Sequence, residues 1–101
     1  MARLDVYPMP GRSAGRGYVV DVQARLLDHL ATRAVVPLLP QTAGPPPIRD
    51  LNPMFDIDGV PHVMITQAIA TVPVRDLKRA VTSLAMHRDE ITRALDILLT
   101  G

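Results

Sequence analysis

Hydrophobic positions along the chain change their period near residue 84. Before it they alternate or cluster in short runs, and after it they recur at helical spacing. In RLDVY at 3–7, Leu4 and Val6 fall on one face and Arg3, Asp5 and Tyr7 on the other, which predicts a short strand. YVVDVQ at 18–23 is rich in β-branched residues and predicts a central strand. RAVVPLL at 33–39 predicts the next one, and because Pro37 removes a ladder donor it is expected at an edge or near the strand's end. MFDIDGVPHVMIT at 54–66 carries a hairpin signal, since Asp58 and Gly59 suit a type I′ turn in which both central residues take positive φ. AIATVPV at 68–74 predicts a further strand after a turn near Thr66 and Gln67.

The later pattern is helical. Leu84, Ile91, Leu95 and Leu98 fall at steps of seven, four and three, while Arg88, Asp89, Glu90 and Arg93 can face water. This amphipathic stretch, 86–99, is expected to end in a free tip at Gly101, with Thr82 or Ser83 as its N-cap. Residues 75–83 are ambiguous, although Leu77, Val81 and Leu84 share helical spacing. Residues 24–30 are too short for a standard helix and read as irregular. The segments 8–17 and 39–53 are loops, the second stiffened by its prolines. Short strands followed by one helix make an α+β fold, and 1–101 reads as a single domain with no internal repeat.

Composition narrows the function. A chain of 101 residues buries roughly 60 to 70% of its unfolded surface, so a partner subunit would help it. Only Tyr7, Tyr18 and Phe55 are aromatic, which leaves few stacking platforms for bases. The formal net charge is +1, too small a field to draw in a phosphate backbone, so direct nucleic-acid binding is not expected. There are no cysteines, and the apolar runs fall far short of the roughly 20 residues needed to span a bilayer. A cytoplasmic protein without membrane contact is the expectation.

The order of several short motifs resembles the CcdB family of bacterial toxins. It comprises Val6–Tyr7, VDVQ at 20–23, the paired Leu26 and Leu27, VVPL at 35–38, Thr66, TVPV at 71–74, His87 with Arg88, and the closing helix. The resemblance implies a small SH3-like antiparallel β-barrel with a C-terminal α-helix, of the CcdB and Kid type, assembled as a symmetric homodimer. It also implies a toxin that poisons DNA gyrase by contacting the gyrase A protein through the helix tip and is neutralised by a CcdA-like antitoxin with a disordered tail. Leu26, Leu27, Asp96, Leu99, Thr100 and Gly101 fall at the family's partner-contacting positions, and Leu98 at its dimer seam. The family carries a Trp where this chain has Thr100. An aromatic there adds buried area and about 0.5 to 2 kcal/mol of cation–π energy. Threonine supplies neither, so binding to a standard gyrase A fragment is expected to be weak or absent, and Thr100→Trp to strengthen it; the alternative is a relative that has lost gyrase binding and retains only antitoxin binding.

The rival reading is chemical. MazF and Kid toxins use a related fold to cut RNA without a metal, which takes a base, an acid and a cation on the phosphate. His29, His62 and His87 with Arg33, Arg49 and Arg88 supply the residue types, yet nothing in their spacing assembles them. The chain is therefore expected not to be an enzyme and to need no cofactor. No metal is expected either, because the thiolates and paired histidines of a metal site are missing, and Asp56 with Asp58 reads as a strand entering a turn. GRSAGRG at 11–17 resembles a phosphate loop but lacks its Lys and its helix.

Overall fold

The computed structural model describes residues 2–11, 16–42 and 44–101. Most of the candidate phosphate loop, residues 12–15, lies outside them. Seven strands are described: β1 (Asp5–Pro8), β2 (Tyr18–Asp21), β3 (Thr32–Pro40), β4 (Met54–Ile57), β5 (Val60–Met64), β6 (Ala70–Pro73) and β7 (Thr82–Ser83). They form one antiparallel sheet in the order β4-β5-β3-β2-β1-β7, with β6 also on β3. The sheet curls into a nearly closed barrel, and the single helix α1 (Arg88–Leu99) follows it.

The spine is β3. On one side it pairs with β2, from Val35↔Asp21 to Leu38↔Tyr18. On the other its first half pairs with β6 and its last three residues with β5. Pro37 sits inside this strand rather than at its edge or end, which corrects the sequence expectation. Ala34 turns its carbonyl toward Val22 on the β2 side, so by alternation Pro37 presents its nitrogen to the opposite side. There β6 has ended and β5 has not begun, so no ladder acceptor is wasted, and the Pro37 carbonyl still accepts from the Ile65 N–H at 2.9 Å.

Two apolar clusters cover the two faces of the sheet. Val6, Val20, Val36, Leu38, Ile57 and Met64 meet Leu84, Ile91 and Ala94 in the larger one, which seats α1 on the barrel. Tyr7, Val19, Val35 and Leu77 form the smaller. Tyr7, expected on a polar face, is buried instead, because Leu77 and Val72 cover the side of β1 and β2 that alternation leaves open. Burial pushes the Tyr7 phenol above its ordinary pKa, with Asp5 and Asp21 adding to the shift and Arg33 opposing it.

The hairpin is as the sequence implies, with Asp58 at φ 54° and Gly59 at φ 79°. Gly17 has a different constraint. Its φ is 139°, and a Cβ there would stand 2.5 Å from the Leu38 carbonyl oxygen. The expected N-cap is corrected. Thr82 and Ser83 pair with β1, Ser83 Oγ accepts from the Ala85 N–H at 3.1 Å, and a 3-10 turn at Ala85–His87 leads into α1, whose cap is His87. No helix among the described residues is long and apolar enough to cross a membrane.

Candidate functional site

The C-terminal end of α1 carries an exposed leucine on a well-tied backbone. The Asp96 carbonyl accepts from the Thr100 N–H at 2.8 Å, the Gly101 N–H at 3.0 Å and the Thr100 hydroxyl at 2.8 Å. Gly101 at φ 69° completes the turn, as a left-handed residue past a helix end does. Leu99 is 70% exposed, with Ile97, Asp96, Thr100 and Gly101 exposed around it. Leu95 packs against the main core, whereas Leu98 is partly buried outside that cluster.

The paired leucines stand on the loop between β2 and β3, where Arg25–Leu27 forms a 3-10 turn. Leu26 is 85% exposed, and Leu27 and Leu30 are also exposed. Exposed leucines need a fixed backbone to be useful, and a buried polar network supplies it. Arg33, 1% exposed, donates through Nε and Nη2 to Asp21 Oδ2 at 2.9 and 2.6 Å. Its Nη1 donates to Asp28 Oδ1, on the loop, at 2.8 Å. Gln23 donates through Nε2 to the Leu27 carbonyl at 2.8 Å and accepts the Ala34 N–H at 2.9 Å. Burial pulls the Arg33 pKa down, but the bonds to Asp28 and Asp21 outweigh it and the guanidinium is held above its ordinary value.

The loop meets α1 at its first turns, since Ala24 and Arg25 share a concavity with Arg88 and Thr92. The tip lies at the other end of the helix, roughly 16 Å further along its axis at 1.5 Å per residue. Within one chain the leucine pair and the tip are thus separate surfaces.

The candidate acid, base and cation groups are dispersed. Arg33 is consumed by its two carboxylates, His29 is exposed on the loop, Arg49 lies on the 41–53 loop, and His87 pairs with Glu90 at 3.2 Å at the start of α1. His62 is different. It is buried in β5, Nδ1 lies 2.7 Å from the Val60 carbonyl, and its ring meets Tyr18 edge-on at 5.2 Å. Both line a groove of about 700 Å³ that also holds Arg16 and Asp58. Sequence reading missed Arg16 and Tyr18 as its neighbours, because they come from β2 and its approach, paired to β5 only through β3. Among the described residues no group of three or more His, Cys, Asp or Glu side chains could hold a metal ion.

Comparison with known proteins adds three findings. No curated protein sequence matches the chain. Among solved structures, the Mycobacterium tuberculosis toxin MazF-mt6 superposes with a TM-score of 0.74 at 19% identity, covering 93% of this chain and 94% of that one. A second, described as a crystal structure of an Mtb toxin, does so at 0.66 and 21% identity, covering 81% and 91%. These likenesses correct the expectation that the chain is not an enzyme. The fold is shared with a MazF toxin, a kind of protein that cuts RNA, so it is compatible with an endoribonuclease. The family model described as CcdB protein matches residues 3–101, nearly the whole sequence. This match and the motif order agree, and the chain belongs to the CcdB family.

Proposed function

We propose that the chain is the toxin of a toxin–antitoxin pair, acting as a homodimer and disabling a type II topoisomerase by protein contact through the end of α1. The observation that carries this reading is the tip itself. Leu99 is 70% exposed on a helix end whose backbone is closed by three bonds to one carbonyl. A small domain gains nothing in stability from so exposed a leucine, whereas a rigid apolar tip loses little entropy on entering a recess. In this reading Leu98, partly buried on α1, would meet its two-fold mate, and such a dimer would bring two tips together. Leu26 and Leu27 would serve the antitoxin or the same target. Titration of a gyrase A fragment tests the reading. Thr100→Trp is expected to bind more tightly than the wild type and Leu99→Asp less. Equal affinity of all three would remove the tip from the mechanism.

A second reading is favoured by the groove, where Arg16, Tyr18, His62 and Asp58 converge. With His62 donating through Nδ1 to Val60, its Nε2 is left as the accepting nitrogen, and Arg16, which lines the same groove, is a cation suited to phosphate. This is the arrangement from which RNA cleavage would come. Cuts in a defined RNA that are lost in both His62→Ala and Arg16→Ala would support it, and cuts that persist in both would exclude this groove.

A further inference from the structure

Apart from the tip and the groove, the pocket at the start of α1 gathers positive charge from segments far apart in sequence. Its volume is about 520 Å³, and Arg3, Arg25, Arg88 and Thr92 line it. No carboxylate among the described residues shares the wall. The ion pairs among those residues use other cations, namely Arg33, His87 and Arg93, while Asp89 and Glu90 line a neighbouring concavity. Like charges gathered in one opening repel, and an anion between them would relieve the repulsion. The helix dipole is not what makes this site. The Arg88 N–H is taken by the Ala85 carbonyl, and Asp89 and Glu90 already stand in the first turn of α1.

The arginines stand on a framework tied at one strained residue. Residues 2–5 form a tight turn closed by the Asp5 N–H on the Ala2 carbonyl at 3.1 Å, and Leu4 takes φ 72° in it, a conformation usual for glycine. Buried Leu4 donates its N–H to the Asp21 carbonyl at 2.6 Å and accepts the Leu84 N–H at 2.8 Å, which fixes the Arg3 turn to β2 and to the lead-in of α1. The Arg25 turn is fixed to the same strands, because Arg33 holds both Asp28 and Asp21 and Gln23 holds the Leu27 carbonyl. A charged opening so fixed loses little entropy on taking a ligand. We propose that it binds linked phosphoryl groups, as in the di- or triphosphate of a free nucleotide or in inorganic polyphosphate. The guanidinium forks of Arg3, Arg25 and Arg88 take the phosphoryl oxygens, and the Thr92 hydroxyl, one helical turn beyond Arg88, adds a neutral donor. No aromatic side chain lines the pocket, so the phosphate chain rather than a base is recognised. A nucleic-acid strand spreads its charge over successive nucleotides and fills a single opening less well than phosphates joined directly. The site stands independently of what the tip of α1 contacts.

The test titrates sodium tripolyphosphate into the full chain by calorimetry, at low salt and without added metal. Saturable binding that weakens as salt rises is expected, with ATP and GTP alike in affinity. Arg3→Gln, Arg25→Gln and Arg88→Gln are each expected to weaken binding about two- to fivefold, as partly exposed charge pairs do, and the triple variant at least about tenfold. Arg75→Gln, an exposed cation outside the pocket wall, is expected to change nothing. Tripolyphosphate should raise the melting temperature of the wild type. Without it the triple variant should melt at or above the wild type, because the repulsion has gone. No binding, indifference to all three arginines, or equal binding of citrate or orthophosphate would overturn the proposal. So would a ligand-free triple variant that melts well below the wild type, which would make the arginines structural. Tighter binding of an oligothymidylate strand, lost in the same variants, would overturn it as well, since the opening would then belong to a nucleic-acid surface.

Discussion

Removing the Asp21 carboxylate should destabilise the protein far more than removing Asp28, although both bind the same guanidinium. The Asp21 side chain is 0% exposed and takes two bonds from Arg33 as well as the Gln23 N–H at 3.0 Å. Asp28 is 43% exposed and takes one. In Asp21→Ala the Arg33 charge stays buried with a single partner, and breaking a buried pair costs about 3 to 5 kcal/mol. In Asp28→Ala the freed Nη1 lies beside the exposed loop, where water can reach it, and a pair of this kind is worth about 0 to 1 kcal/mol. Replacing the pair together, as Asp21→Leu with Arg33→Met, should recover most of the loss. Recovery should fall short by about 1 kcal/mol because the Gln23 N–H has lost its acceptor. Urea denaturation of the wild type, Asp21→Leu, Arg33→Met and their double variant measures the pair as a cycle, and Asp21→Ala and Asp28→Ala are melted beside them. An Asp21→Ala cost within about 1 kcal/mol of the Asp28→Ala cost would refute the reasoning, because the burial of the pair would then carry no energetic weight.

Other expectations follow from the same contacts. Ile91→Ala, at the centre of the α1 contact with the barrel, should cost about 2 to 5 kcal/mol in a denaturant melt. Gly17→Ala should cost about 1 to 3 kcal/mol, since its φ is disfavoured and its Cβ meets the Leu38 carbonyl. Tyr7 has a folded pKa raised above its ordinary value of 10.0, so its contribution is fully present below that pH and is lost as pH rises through the folded pKa. The stability difference between wild type and Tyr7→Phe should therefore be flat up to about pH 10 and shift against the wild type above it. Sedimentation at micromolar concentration should show a dimer, and Leu98→Asp should shift it toward monomer.

What could be read from the sequence was what depends on neighbours along the chain. The Asp58–Gly59 turn, the β-branched runs that became β2 and β3, and the α1 stripe are local signals, and each stands where its residues place it. Tyr7 and Pro37 were misplaced because their settings depend on elements far away in sequence: the segment around Leu77 that covers one, and the change from β6 to β5 beside the other. The Asp21–Arg33 pair was invisible for the same reason, as strand pairing brings it together, and Arg33 looked like a free cation until its burial was known. Arg3, Arg25 and Arg88 carry no shared motif. The leucine pair and the tip could be named from the family resemblance, but their separation follows only from the fold, which brings Ala24 and Arg25 to the first turns of α1.

The central claim is that the end of α1 disables a type II topoisomerase, and a plasmid cleavage assay meets it most directly. Purified gyrase, ATP and supercoiled plasmid are incubated with the wild-type chain, Thr100→Trp or Leu99→Asp, and linear DNA is measured after the protein is denatured. The account predicts linear plasmid with the wild type at high concentration, more of it with Thr100→Trp at lower concentration, and none with Leu99→Asp. No linear DNA from either the wild type or Thr100→Trp, together with cleavage of added RNA by the same preparations, would contradict it.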